Sequence, residues 1–354
     1  MWSIAAPIVG GLLLAGLAAG FGGAAYAALA AAGLVASILA GVYHAEHLAH
    51  VLGEPYGTMV LAIAVTVIEV GLIVTLMVAG GPGTEALARD TVYAAIMIIV
   101  NGIVGVCLLV GGLHHHEQGF KLQGASAALT TLTAIAVLTL VMPNFTRTPG
   151  PYYSPMQLAF VAAVTLVLYA TFALVQGSRH REHFLQDAVA ADTEGDGVAA
   201  PGSGAGWGAT SFLLVACLVA VVLLAKSLAP TLEGGVIAAG LPNAVVGLVI
   251  AAVILMPEGL AAYRAARANR LQTSLNLALG SALASIGLTI PAVAILCLAT
   301  GWPLALGLDP ASMVLLALSL FVASLALGTG RTTVLQGAVH LVLFAIYVLT
   351  TVAP

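Results

Sequence analysis

The chain has 354 residues, 61% of them hydrophobic and only 7% charged, with a mean hydropathy of +1.11. A soluble domain carries about 25% charged residues, so the composition excludes a soluble enzyme, a secreted disulfide scaffold and a disordered tail protein. The formal net charge of -4 supplies no basic surface for nucleic acid.

A membrane-spanning helix needs about 20 mostly apolar residues. In chain order the sequence predicts eleven such runs: 4–20, 22–42, 57–80, 91–112, 124–142, 155–176, 209–230, 236–263, 272–299, 302–327 and 332–352. The break at residues 20–23 is only a glycine-rich dip, which leaves one or two spans open there. No Lys or Arg precedes the first run, so it reads as a retained span and not as a cleaved signal peptide. The runs are continuous and lack period-two alternation, which argues against an outer-membrane barrel. One long polar stretch, 177–207, begins basic (Arg179, His180, Arg181), turns acidic (Asp187, Asp192, Glu194, Asp196) and ends in Pro, Gly and Ser. It reads as a linker. The expected organisation is 1–176 as the N-terminal helix or helices and a first repeat, 177–207 as a cytoplasmic linker, and 208–354 as a second repeat.

With eleven spans, seven of the ten Lys and Arg (Lys121, Arg179, Arg181, Arg264, Arg267, Arg270, Arg331) fall on one side and three (Arg89, Arg147, Lys226) on the other. The positive-inside rule then puts the N-terminus in the cytoplasm and the C-terminus outside. One extra helix followed by five, a linker and five gives two halves of opposite topology. The predicted fold class is an all-α polytopic membrane protein with about eleven transmembrane helices: one extra helix plus two inverted five-helix repeats. Such repeats place substrate sites near the bilayer midplane on discontinuous helices.

Twelve of the fourteen acids lie in loops or near span ends; Glu69 and Glu258 lie well inside apolar runs, each on the second helix of a half. A charge at that depth costs about 2.5–3.5 kcal/mol even on the lenient insertion scale, so two at matching positions point to one functional site. The next helix of each half offers neutral oxygen ligands: Asn101 in the first, and Asn276, Ser281 and Ser285 in the second. Pro257 precedes Glu258 and removes a helix donor, which frees a carbonyl one turn earlier. Two carboxylates, hydroxyl and amide oxygens and freed carbonyls suit a hard cation such as Ca²⁺; Na⁺ or K⁺ also fit, whereas softer metals prefer Cys, Met or His. Burial penalises a carboxylate's charge, so an empty site holds protons that an arriving cation displaces. That is cation/proton antiport.

These residues resemble a known family. His44-Ala45-Glu46, His50, the 53–57 run and Thr66-Val67-Ile68-Glu69-Val70 are similar to the first repeat of the calcium/proton antiporters of the calcium:cation antiporter superfamily, and residues 257–291 are similar to the second. Gly111-Gly112-Leu113-His114, Glu117-Gln118-Gly119-Phe120 and the 179–184 stretch also resemble that family. The resemblance implies that Glu69 and Glu258 bind cation and protons alternately. Where the common pattern has Asn-Ala-Ala before the second Glu, this chain has Leu255-Met256-Pro257, and Ala284 stands where a Gln is usual. In this it is more similar to the bacterial ChaA-like branch, which is linked to Na⁺ and K⁺ as well as Ca²⁺. The implied setting is the bacterial inner membrane.

His44, His47 and His50 recur every third residue and are candidates for a proton antenna or pH sensor, with interfacial polar packing as the alternative. His340, inside the last span, reads as hydrogen-bonded structure. Cys107, Cys217 and Cys297 all lie in apolar runs and read as small buried hydrophobes; no zinc-type spacing accompanies them. A channel using the same site and a membrane metalloenzyme built on the histidines are the competing classes. The expected partners are Ca²⁺ and H⁺, with Na⁺ or K⁺ as alternatives, and the lipid bilayer; no cofactor and no nucleic acid are expected.

Overall fold

In lipid the backbone must satisfy its own polar groups, which helices do within one segment. The computed structural model describes residues 2–52, 56–79, 83–179 and 207–354, and they are helical almost throughout. The helices are α1 (Trp2–Ala18), α2 (Ala24–Leu52), α3 (Tyr56–Ala79), α4 (Leu87–Met97), α5 (Val104–His115), α6 (Leu122–Ala136), α7 (Pro155–Leu174), α8 (Trp207–Ala238), α9 (Ala244–Ile254), α10 (Met256–Arg267), α11 (Leu271–Thr300), α12 (Pro310–Leu327) and α13 (Val334–Val352). A π-helical segment, Ile98–Ile103, joins α4 to α5 in one run. Among the described residues eight helical stretches are long and apolar enough to cross a membrane, and the bent pair α9–α10 makes a ninth. Two shorter apolar helices, Trp2–Leu17 and Ala62–Val78, accompany them.

Several boundaries differ from the sequence reading. Residues 4–42, left open as one or two spans, belong to two helices separated by a turn in which Gly20 and Gly23 take φ of +90° and +94°, a region open to glycine without penalty. The second helix runs on to Leu52, and α8 continues through Pro230 to Ala238. Lys226, counted toward one side of the membrane although it lies within the expected 209–230 span, is on an exposed face within α8. The expected 302–327 span begins only at Pro310: Gly301 closes α11 in the left-handed region, and Asp309 caps α12 through the amides of Ala311 and Ser312 at 2.9 and 3.0 Å. The linker residues 180–206, like 53–55, lie outside the described residues.

The chain divides into two compact units, Met1–Thr84 with Ala188–Gly240 and Glu85–Asp187 with Leu241–Pro354. Each unit draws on both sides of the linker, so packing cuts across the division into repeats. In the first unit α2 packs against α1, α3 and α8. Ala30 meets Leu224 and Leu228, Ala40 meets Cys217, and Ala45 meets Leu214. The paired numbers run in opposite senses, so α2 and α8 are antiparallel.

The second unit is built on two long core helices, the α4–α5 run and α11. The α5–α13 contact is very close. A Cβ on Gly337 would collide with the Leu109 amide nitrogen, and one on Gly112 would stand 2.6 Å from that of Val334. Small residues allow such approach where no hydrophobic drive separates helix from lipid. At one end of this unit the stretch before α12 lies extended and buried, its backbone satisfied by Ala305 N to Glu85 O (3.0 Å), Leu306 N to Pro151 O (3.0 Å) and Leu308 N to Leu140 O (2.9 Å). Arg89 pairs with Asp90 at 2.8 Å and donates to Gly307 O at 3.0 Å. At the other end a short antiparallel ribbon joins β1 (Gln118–Gly119) to β2 (Arg331–Thr332).

Candidate ion-translocation site

Glu69 sits in the middle of α3 and is 3% exposed. Ile68, Leu72, Ile73 and Leu76 along the same helix are also buried. Thr66 and Thr75 turn their hydroxyls back onto Ala62 O and Gly71 O at 2.8 and 2.6 Å. Both threonine protons are thus committed to the helix itself.

The second acid has a different setting. α9 and α10 meet at Leu255 with a bend of 54°. The cause is local: Pro257 has no N–H to give to the carbonyl four residues earlier, Val253, and its ring opposes a straight continuation. Glu258 follows in the first turn of α10, half-buried, at the end where the helix dipole favours negative charge. The single span expected over 236–263 is therefore broken, and its second part, α10, runs on to Arg267, with Asn269 at φ +58°.

α10 lies alongside α5 from end to end. A Cβ on Gly259 would stand 3.1 Å from Ile103 Cδ1. One and two turns on, Ala262 and Ala266 pack with Cys107 and Ile103. Beyond them His115 Nε2 donates to Arg267 O at 2.9 Å, and Gln118 Nε2 reaches Ala266 O and Asn269 Oδ1 at 3.0 and 2.9 Å. Gln272 Oε1 accepts from the Lys121 amide at 2.6 Å. Sequence reasoning missed this fastening. Its only advance signals were the small residues at 259, 262 and 266 and the two glutamines at the edges of apolar runs.

The neutral ligands expected beside the acids fall into three groups. Ser281 and Ser285 lie four residues apart on one face of α11, continued by Thr289; Ser285 is 7% exposed and Thr289 fully buried. Gly287, against which Tyr169 packs, lies about 160° around the helix from Ser285. Asn276 does not join them. Nine residues from Ser285, it lies about 180° around the helix, lines a groove with Gly124, Ala128, Phe172 and Gln176, and accepts from Gln272 at 2.9 Å. Asn101 is buried in the π-helical segment with both ends of its amide engaged: Nδ2 donates to Ser319 Oγ at 2.8 Å, and Oδ1 lies 3.1 Å from His340 Nδ1. His340 is thus hydrogen-bonded structure, as its place in an apolar span suggested.

Of the three spaced histidines, His44 is buried in α2 with Nε2 3.1 Å from Ser3 O, which ties α2 to the start of α1. His47 is half-buried, and the side chain of His50 lies outside the described residues. All three cysteines are free and buried. Among the described residues no three His, Cys, Asp or Glu side chains converge in a group that would hold a metal ion. Outside the spans, partial burial works against the charge of Asp309, but hydrogen bonds from Ser312 and from the Ser312 and Ala311 amides outweigh it and hold this carboxyl below its ordinary range.

Many apolar helices, a buried carboxylate in one and a second carboxylate at the break of another define a polytopic membrane protein of the ion-transporting class. The sodium/calcium exchanger protein family model matches residues 7–177 and 210–353, and the chain belongs to that family of cation exchangers. It is 49% identical over 322 residues to the "Putative ionic transporter y4hA" of Sinorhizobium fredii, covering 91% of this chain and 87% of that one. It is 38% identical over 325 residues to the sodium-potassium/proton antiporter ChaA of Escherichia coli, with the same coverage. Its fold resembles that of the Ca²⁺/H⁺ antiporter YfkE, with a TM-score of 0.74 at 15% identity over the whole of both chains. The chain is an integral membrane transporter of that family.

Proposed function

We propose that this transporter moves a hard cation out of the cell in exchange for protons, with Glu69 and Glu258 carrying the two in turn by alternating access. The observation that carries the reading is the placement of these two acids, one 3% exposed in mid-helix and the other at a 54° break in an apolar span. Ser281 and Ser285 and the carbonyl left without a donor by Pro257 are the proposed neutral oxygens. Asn101 and Asn276 are given structural parts, because their amides are engaged elsewhere. The chain is read with eleven spans as one helix plus two inverted repeats, in the bacterial inner membrane with the N-terminus cytoplasmic.

Two carboxylates balance one Ca²⁺, and exchange for two protons is the minimal stoichiometry. Similarity to an antiporter named for sodium, potassium and protons supports monovalent exchange as the second reading. Transport in everted membrane vesicles, with Ca²⁺, Na⁺ and K⁺ offered singly against an imposed pH gradient, separates the two. Calorimetry of the purified protein in buffers of differing ionisation enthalpy then counts protons released per cation. Cation binding favours the ionised pair, so it should release protons, and affinity should fall as pH drops. Zero release with pH-independent affinity overturns exchange, and transport that needs no pH gradient leaves a channel.

A further inference from the structure

Three buried polar side chains from three helical runs meet at one point in the second unit. Ser319 Oγ donates to Leu315 O at 2.7 Å, so it accepts the 2.8 Å bond from Asn101 Nδ2. That orients the amide and leaves Asn101 Oδ1, which can only accept, facing His340; Nδ1 of His340 must carry the proton of the 3.1 Å bond. The direction is therefore fixed throughout, from His340 to Asn101 to Ser319 to the α12 backbone. His340 and Ser319 are fully buried, and His340 Nε2 makes no hydrogen bond among the described residues, so the bond to Asn101 is the ring's one hydrogen bond among them.

The network closes on the π-helical Ile98–Ile103 segment, and two residues beyond Asn101 the Ile103 side chain abuts the turn of α10 that contains Glu258 and Gly259. A π-helical turn carries an extra residue and persists only where its surroundings hold it. We propose that Asn101, His340 and Ser319 are positioning residues for Glu258: they hold the π-helical segment so that Ile103 sets the place of the Glu258 turn. The inference rests on the reading of Glu258 as a cation-carrying residue.

The test uses the full chain in proteoliposomes with radiolabelled Ca²⁺ and, separately, Na⁺ as probes. His340→Leu removes the bond to Asn101 and should raise the apparent KM about five- to tenfold with a smaller change in turnover, the size expected from one buried hydrogen bond. His340→Gln, which can still donate to Asn101, should stay within about twofold of wild type. Gly259→Ala probes the same contact without touching the network: its Cβ would meet Ile103 Cδ1 at 3.1 Å and Cγ1 at 3.3 Å. It should raise KM, and Ile103→Val, which removes Cδ1, should restore it in the double variant. Should His340→Leu fail to fold, the Gly259 and Ile103 pair decides. Unchanged KM in Gly259→Ala, or in a folded His340→Leu that merely melts earlier, overturns the positioning role. Failure of the underlying reading shows separately, as a Glu258→Gln protein that still exchanges cations.

Discussion

α3 and the α9–α10 pair each house one acid in apolar sequence, and they do so in opposite ways. α3 is unbroken through Glu69, and the nearby hydroxyls of Thr66 and Thr75 are turned back onto their own helix. The α9–α10 pair breaks three residues before Glu258, which leaves that acid half-buried at the start of a half-helix. In α3 the aligned peptide dipoles continue past Glu69 on both sides, so no helix end lies beside its charge. At Glu258 the positive end of α10 is at hand. The contrast teaches that a carboxylate can be kept in an apolar helix by close burial or by a helix end, and that the second device needs external support. α10 has that support, from Ile103 at its first turn to Gln118 at its last.

The largest effect expected is from removing either charge. Glu69→Gln and Glu258→Gln keep the shape but can neither titrate nor neutralise a cation, and each should abolish exchange in vesicles while the protein still folds. Near-wild-type exchange in either would break the pairing of the two acids. Next, Pro257→Ala should return a donor to Val253 and straighten α9–α10 toward the form of α3. Turnover should then fall on the order of tenfold without loss of thermal stability, because only the hinge is changed. An unchanged rate would show that the break is incidental.

Gln118→Ala sharpens the comparison at the far end of α10. It removes the bonds from Gln118 Nε2 to Ala266 O, which keeps the Asn269 amide at 3.2 Å, and to Asn269 Oδ1, at a cost of about 0.5–1.5 kcal/mol each, read as a lower melting temperature in detergent. The smallest effect expected is from Asp309→Ala, which removes a helix cap remote from both acids in sequence and should cost about 1 kcal/mol with exchange unchanged. The Asp309 carboxyl is held below its ordinary range. Its contribution is therefore present above about pH 4, the unfolded-chain value, and is lost as pH falls further through the folded value. Thermal melts of wild type and Asp309→Ala should converge in acid.

The sequence by itself determined the class of this protein. Composition and the length of the apolar runs demand membrane-crossing helices, and a charge in such a run is costly enough that Glu69 and Glu258 stand out without any coordinates. Pro257 likewise announced a freed carbonyl, because a missing N–H is a local fact, although the sequence reading kept 236–263 as one span. Boundaries were less legible: α8 runs through Pro230, and the run after Gly301 stays extended until the Asp309 cap, because apolar composition does not distinguish a helix from a buried extended stretch whose backbone finds distant partners such as Glu85 and Pro151. The partners of polar side chains were not legible at all. Asn101 is bonded to residues 218 and 239 positions away, and Gln118 to residues 148 and 151 away. Only tertiary structure decides which helices stand beside one another, and therefore whether a buried amide can serve a cation or is already engaged in holding a helix.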